Sequence, residues 1–491
     1  MLTRRRFIRT AAAAAPALSI LPHHSSAASV DQKRLNVVLI MVDDLCPHFG
    51  AYGATEVYSP NLDRLARKGM RFDRAYCQYP VCNPSRQSLL TGLRPDSTGI
   101  VTNWREECFR RKIPSAVSLP QLFRQNGYHT AGLGKTFHCG MDASGKLTNN
   151  EDPLSWNLCG FGTEVQNKMP GEGRSLSAVL GKDWPPAAFA WLSADGTDDD
   201  QEDGRIAAAA VKLIQDNKDA PFFFTFGFHK PHDPHIAPKK YYDLYPLDKI
   251  QLPADPDDRT PNPPFGLPMP GLFSKVAAAA RRELKRSYYA CVSFVDAQIG
   301  RVLDELDRSN LWNDTAVVLI ADHGYHLWQH DWFGKCTSYE LSARVPLLVW
   351  APGHAGMGSA ASGIVESLDL YPTIASLCGL TPPREIEGAS FLPILDDPSH
   401  PGKVAAHTQV IGEDANYRHP GSRRKPNEGT KGYSVRTDRW RFTQWSDART
   451  ELYDHSSDPL EYHNLAPDPA HKAICAQLQA LLPPQARPAA G

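Results

Sequence analysis

The chain has no surplus of either charge: 53 lysines and arginines stand against 54 aspartates and glutamates. Without a basic excess there is no electrostatic footprint for a nucleic acid. No stretch of 18 or more apolar residues occurs beyond the N-terminal segment, so the mature protein is expected not to span a membrane as a helix. The ten cysteines, at 46, 77, 82, 108, 139, 159, 291, 336, 378 and 475, show neither C-x-x-C pairing nor zinc-ligand spacing. A chain this large needs no disulfide staples, so mostly free, buried thiols are expected, with at most a few bridges. No internal repeat is visible, which leaves a repeat array without support. What remains is the composition of a globular protein, 42% hydrophobic and 22% charged over 491 residues. That length suits one large domain and a smaller one.

Residues 1–28 read as a targeting segment rather than structure. They hold four arginines and no acid, which leaves 49 basic against 54 acidic residues in the remainder. Thr3-Arg4-Arg5-Arg6-Phe7-Ile8 is similar to the twin-arginine export motif, Ala11 to Leu21 is mildly apolar, and Ser26-Ala27-Ala28 offers small residues for cleavage. An ordinary secretory signal is the alternative; either predicts an exported, periplasmic or secreted protein. Twin-arginine export carries folded chains, so folding could be completed beforehand. The segment has no cysteine to accept a lipid.

Short β-branched runs alternate with amphipathic stretches, the pattern of an α/β fold with a largely parallel sheet. Strands are predicted at Leu35–Val42, Tyr128–Leu133, Pro221–Phe228, Thr315–Ala321 and Pro346–Trp350. Helices are predicted at Asn61–Gly69 and, on an i, i+3/i+4 apolar stripe, at Arg282–Leu306. Asp142–Asp203 and Pro246–Leu272, rich in Gly, Pro and polar residues, read as long loops over one face. Near Pro401 the character changes. Gly432–Trp445 alternates with period two, Glu451–Asp454 reads as a partner strand and Ala470–Leu482 as a helix. The division expected is therefore 29–400 for a catalytic domain and 401–491 for a C-terminal subdomain with a small antiparallel sheet.

Cys82-Asn83-Pro84-Ser85-Arg86 carries the most information. Pro84 suits the first turn of a helix. That puts Cys82 just ahead of a helix N-terminus, where free amides and the macrodipole favour an anion, and Arg86 one turn on. Asp43-Asp44 follows the first strand and Asp322-His323-Gly324 follows another. Ligands of open α/β sheets bind beyond the carboxyl ends of strands. Three carboxylates and an imidazole there would make a hard-cation site of the calcium kind. Lys135 and His138 follow the strand at 128–133, His229 and His232 follow the strand at 221–228, and Lys335 lies 12 residues beyond His323. Each alone reads as an ordinary surface or core residue, but together they gather at one sheet edge.

These motifs resemble the type I, formylglycine-dependent sulfatase family. Asp43-Asp44, Cys82-x-Pro84-Ser85-Arg86, Thr91–Asp96, Gly134-Lys135-x-x-His138, His229-Lys230-Pro231-His232 and Asp322-His323-Gly324 with Lys335 are closest to its iduronate-2-sulfatase branch. Tyr453-Asp454, Asp458-Pro459, Glu461 and Asn464-Leu465 are similar to the family's C-terminal signature. The likeness covers roughly residues 35–465. It implies an alkaline-phosphatase-like fold: a large, mostly parallel sheet flanked by helices. It implies one Ca2+ held by Asp43, Asp44, residue 82, Asp322 and His323, and oxidation of Cys82 to formylglycine by a maturation enzyme. It further implies that the formylglycine hydrate attacks sulfur, Lys135 and Lys335 offset sulfate charge, and Arg86 holds the diol and screens the metal. His229 would protonate the leaving sugar oxygen and His138 would accept the second hydroxyl's proton. Leu327-Trp328-Gln329-His330 stands where that branch carries Leu-Gly-Glu-His, which alters the loop beside the substrate. His232, His235, Trp104, Trp328 and His330 are candidate sugar contacts. The implied activity is hydrolysis of sulfate esters on a carbohydrate, with 2-O-sulfated uronic acid favoured. The alternatives are aryl or choline sulfate, a phosphoester or phosphonate, or, from another class, an inactive sulfated-glycan binder.

Overall fold

A computed structural model describes residues 34–148, 152–161, 169–180, 189–263, 266–412 and 429–486. Its main sheet has eight strands: β1 (Asn36–Val42), β2 (Met70–Tyr76), β3 (His129–Gly134), β4 (Leu158–Gly160), β5 (Phe222–Phe228), β6 (Thr315–Ala321), β7 (Arg344–Trp350) and β8 (Ala360–Glu366). They lie in the order β8-β2-β7-β6-β1-β5-β3-β4. Neighbours run parallel except around β7, which is antiparallel to both β6 and β2. β1, β5 and β6 are buried at every residue. That is why their sequences are nearly continuous apolar runs rather than alternating ones: both faces are covered.

The covering helices fall into two groups. α1 (Pro60–Lys68) and α3 (Glu202–Asn217) pack on α4 (Ala278–Arg308), while α2 (Cys82–Thr91) packs on α5 (Leu370–Leu377). Pro60 opens α1, where its missing amide costs nothing. The core stripe of α4 is Leu284, Tyr288, Cys291, Val295, Ile299, Val302 and Leu306, all buried at helical spacing. Each such side chain withdrawn from water contributes on the order of 1.5–3 kcal/mol.

A second, four-stranded antiparallel sheet follows: β9 (Ala406–Ile411), β10 (Lys431–Arg436), β11 (Trp440–Trp445) and β12 (Thr450–Asp454), in sequential order. α6 (Lys472–Leu481) closes it, with Leu478 and Leu482 packed on Val435, Phe442 and Leu452. From Arg34 onward the chain is one compact unit. The small sheet is joined to the large one through β9: Thr408 donates to the Cys77 carbonyl at 2.7 Å and Gln409 N to the Gln78 carbonyl at 2.9 Å. It therefore braces the segment that leads into Cys82.

Three expectations change. Residues 142–203 are not a simple loop. They contain β4 at the sheet edge and strands Gly171–Ser175 and Ala190–Ala194, which form a three-stranded sheet with His235–Pro238. Gly432–Trp445 is two strands, split by the turn at 437–439. Cys82 is the first residue of α2 rather than the one before it. The export segment, 1–28, lies outside the described residues.

Candidate active site

Strand register assembles the site. Val42 pairs with Ala321 on one side and Phe228 on the other, so Asp43, Asp322 and His229 leave the sheet side by side. Gly134 pairs with Gly227, which sends Lys135 out of the same edge. Both glycines are required here. Gly134 has φ 70°, and a β-carbon on Gly227 would run into the Lys135 backbone. α2 brings Cys82 and Arg86 across from the opposite side.

Arg86 is fully buried and all its reach is used. Nε donates to Asp322 Oδ2 at 2.9 Å, Nη2 to Asp43 Oδ1 at 3.1 Å, and Nη1 to the carbonyls of Lys135 and Thr136. Lys135 Nζ takes the other Asp43 oxygen. Lys335 Nζ sits 2.5 Å from Asp44 Oδ1 and 3.0 Å from the Cys82 sulfur. His323 Nε2 lies 3.4 Å from that sulfur and 3.4 Å from Asp44 Oδ1, while its Nδ1 faces the Gly324 carbonyl at 3.0 Å. Asp44 reaches this position with a left-handed φ of 62°, fixed by Tyr288, whose hydroxyl donates to the Asp44 carbonyl at 2.8 Å.

The charges perturb one another strongly. Burial would push the Cys82 thiol up, and Asp43 adds to that, yet Lys135, Lys335 and His323 together hold it well below the usual thiol range. Burial, with the nearby charges of Asp43 and Cys82, pushes Asp322 up to about 7 against the pull of Arg86 and His323. His323 is raised to about 9: burial opposes this, but Asp322 and Cys82 outweigh it. Asp43, Cys82, Asp322 and His323 can each offer a ligand atom within 4.8 Å of the others, as can Asp43, Asp44, Cys82 and His232. The donor set fits a hard cation. It is carboxylate-rich, with the thiol as its one soft member.

Histidines ring the other side of Cys82. His138 lies against it, and its Nδ1 is buried without a partner; burial chiefly holds this imidazole neutral. His229 Nδ1 is 3.8 Å from Asp43 Oδ2, and neither ring nitrogen makes a hydrogen bond. Burial first, then Lys230, His232 and Lys135, hold it well below the ordinary value. The His232 ring lies 4.9 Å from that of His229, with Nε2 4.0 Å from Asp43 Oδ2.

The expected nucleophile, carboxylates, arginine, lysines and histidines thus converge. The outer residues divide. Trp104 is 42% exposed and adjoins Asn103, which accepts from the Asn83 amide at 2.9 Å, so it stands on the rim beside α2. Trp328 is instead a packing residue. It is 2% exposed, lies against Phe273 and Phe333, and donates to the Arg281 carbonyl at 2.9 Å. His330 is buried as well, stacked between Tyr339 and Tyr462 with Nε2 2.7 Å from the Leu460 carbonyl. His235 is fully buried against Tyr288 and Phe333. None of these three presents a face to a ligand, because each ring is needed to fill the layer behind the site.

Sequence reasoning missed Asp203 and Asn83. Asp203, at the start of α3, accepts from the backbone amides of His229 and Lys230, both at 2.8 Å, and so fixes the histidine loop. Lys230 itself turns away from Cys82 to brace the loop, donating to the Pro234 carbonyl at 2.6 Å. Nothing local in Glu202-Asp203 distinguishes it from an ordinary acidic first turn of a helix.

A family model described as Sulfatase matches residues 35–380, and one described as N-sulphoglucosamine sulphohydrolase, C-terminal, matches residues 328–487. A sulfatase of Formosa agariphila is 32% identical, covering 91% of this chain and 86% of its own. The human iduronate 2-sulfatase is 30% identical over 88% of this chain and 91% of its own. In fold, the chain is similar to a phosphonate monoester hydrolase from Silicibacter pomeroyi, with a TM-score of 0.75 at 23% identity, covering 91% of this chain and 94% of that one.

Proposed function

The chain belongs to the sulfatase family and is a sulfuric ester hydrolase, and from that premise we propose that it desulfates a carbohydrate, with 2-O-sulfated uronic acid units as the favoured substrate. The observation that carries the reading is the set of cations around residue 82: Lys335 at 3.0 Å and His323 at 3.4 Å, with Lys135 anchored on Asp43. The sugar assignment is supported by the 30% identity to iduronate 2-sulfatase.

Oxidation of Cys82 to formylglycine by a maturation enzyme would supply an aldehyde hydrate, with one hydroxyl to attack sulfur and a second to drive sulfate release. A calcium ion held by Asp43, Asp44, Asp322, His323 and residue 82 would polarise a sulfate oxygen. The protein's own side chains do the rest. Lys135 and Lys335 neutralise charge on the transferring group in a water-poor pocket, where such contacts count most. Arg86 fixes the Asp43 and Asp322 carboxylates and so the orientation of the group at 82. His138, held neutral beside residue 82, accepts a proton from its hydroxyl. His229 serves the leaving oxygen. Burial first, and then the surrounding cations, keep it neutral, and an anionic ester seated against it would raise its proton affinity. His232 and Trp104 border the entry and are the candidates to meet the sugar. An exported, periplasmic or secreted location, and division into a catalytic region to residue 400 and a bracing region 401–491, belong to the same proposal.

The test is sulfate release by enzyme whose residue-82 peptide has been verified as aldehyde by mass spectrometry. Preference for a 2-O-sulfated uronate disaccharide over an aryl sulfate and over a phosphonate monoester supports the proposal. Turnover of the aryl or choline ester alone keeps the chemistry and discards the sugar. Turnover of the phosphonate alone discards both.

A further inference from the structure

Nine cysteines play no part in the reading above, and two of them meet. Cys108 and Cys139 are both fully buried and free, and each shifts the other's ionisation. One side chain holds both partners. Asn83 Nδ2 donates to the carbonyls of Thr102 at 2.8 Å and Glu107 at 3.2 Å, while its Oδ1 accepts from the Cys139 thiol at 3.3 Å. The flanking residues are pinned as well, since the rings of Phe109 and Phe137 stack 5.1 Å apart. Two buried thiols held beside one asparagine, on segments fixed by separate interactions, are placed to pair.

We propose that Cys108 and Cys139 form a disulfide that staples the 101–108 segment to the segment carrying Lys135 and His138. The oxidant is a disulfide of low molecular mass or of a partner oxidoreductase. One protein thiolate attacks it and releases the first thiol. The second protein thiol gives up its proton and attacks the mixed disulfide, releasing the second. Two protein S–H bonds and one foreign S–S bond become one protein S–S bond and two foreign thiols, so atoms and electrons balance. Cys108 is suited to attack first. Cys139, chiefly, brings it down to about 7 against the effect of burial, with the amides of Arg110 and Arg111 assisting. Cys139 is pushed up, first by Cys108 and then by burial. Exchange requires local opening of residues 101–116, since both sulfurs are covered. Once closed, the bridge holds Asn83 in place and removes both neighbouring thiols from exchange with Cys82, the adjacent residue.

The full chain, purified and reduced, is incubated with oxidised glutathione in buffer and again in sub-denaturing urea. Remaining thiols are alkylated in denaturant and the protein is digested with trypsin without reduction. Peptide 106–110 should appear joined to peptide 136–146, lighter by two hydrogens than their sum, and reduction should separate them. Both peptides recovered singly as alkylated or glutathionylated forms under both conditions would overturn the proposal, as would Cys139 joined to the Cys82 peptide. In Cys108→Ser, which leaves every proposed active-site group intact, Cys139 should be recovered without a protein partner. A new protein disulfide at Cys139 in that variant would show that proximity to Cys108 does not define the pairing. Reduction should lower the melting temperature of the oxidised wild-type chain by several degrees, and an equal fall in Cys108→Ser would remove the stapling role.

Discussion

Two of the buried charge clusters among the described residues are built differently. Around Cys82, Asp43, Asp44 and Asp322 face Arg86, Lys135 and Lys335. Between the two sheets, Arg441 and Arg436 face Glu340 and Glu461. Arg441 Nη2 donates to Glu340 Oε2 at 2.6 Å and Nε to Glu461 Oε1, Arg436 Nε donates to Glu340 Oε2 at 3.1 Å, and His455 lies 2.8 Å from Glu461. Tyr76 donates to the remaining Glu340 oxygen at 3.0 Å. In the second cluster burial pushes the glutamates up, but the surrounding cations win and hold both below the ordinary range. In the first the members are pushed apart: Lys135, His232 and Arg86 hold Asp43 well below its ordinary value against burial, whereas Asp322 is pushed up to about 7, chiefly by burial, and both ring nitrogens of His229 lack hydrogen bonds. A satisfied buried network fixes one structure. One whose members are pushed apart in proton affinity has the electrostatics of a functional site. Although Glu340, His455 and Glu461 also lie within metal-ligand reach of one another, the two arginines already neutralise their acids, and no cation is called for.

The comparison predicts that the clusters separate activity from stability. The largest effect belongs to Cys82→Ala, which should lower turnover by at least about 10⁴-fold and leave the melting temperature within a degree or two of wild type. Near-normal sulfate release would end the assignment of residue 82 as the nucleophile. A collapse in stability would make the first cluster structural like the second.

Next in size is Arg441→Met. It leaves Glu340 and Glu461 buried without their main partner, a loss of roughly 3–5 kcal/mol in denaturant unfolding. Turnover per folded molecule should be retained. If stability were unchanged, the sheet junction would not depend on this network. Loss of turnover at full stability would mean that the two clusters are one functional unit.

Lys335→Ala tests the first cluster from its cationic side. It should lower kcat by about 10²–10³-fold with little change in unfolding free energy, because Asp44 retains His323 as a neighbour. A marked loss of stability with kcat preserved would assign Lys335 to the fold rather than to the reacting group.

Much of the first cluster was legible because its residues follow the most readable strands. Val37–Val42, Phe222–Phe228 and Thr315–Ala321 are runs that only a doubly covered strand explains, and the first polar residue after each has to stand at the sheet's carboxyl edge. The second cluster was not legible. Its partners come from residues 340, 436, 441 and 461, which no local pattern connects. β2 and β8 were missed as well: Met70–Tyr76 carries three charged residues, and Ala360–Glu366 has a glycine among small residues, so neither has the composition of a covered strand. Gly171–Ser175 reads as a turn-prone segment and becomes a strand only through its pairing with Ala190–Ala194. Trp328 and His330 misled for a different reason. A ring with a polar nitrogen in a loop that departs from the resembled branch suggests a ligand, yet their hydrogen bonds go to the carbonyls of Arg281 and Leu460, far away in sequence.

The smallest predicted effect concerns acid. Glu340 is held below its ordinary value of 4.5 in the folded protein, burial notwithstanding, by Arg436, Arg441 and His455. A carboxyl with a depressed folded-state pKa contributes stability that is fully present above its unfolded value and lost as the pH falls through the folded one. Glu340 should therefore contribute a constant amount from pH 8 down to about 5 and weaken only below about 4.5. Arg441→Met removes much of that depression. Its stability deficit against wild type should be widest above pH 5 and narrow by on the order of 1–2 kcal/mol as the pH is taken towards 3.5. Urea unfolding of both proteins across that range, without added metal so that the first cluster responds alike in each, measures the gap directly. A gap that stayed constant to pH 3.5 would mean that Arg441 stabilises the junction by packing against Tyr76, whose ring lies 5.8 Å from its guanidinium, rather than by holding Glu340 ionised.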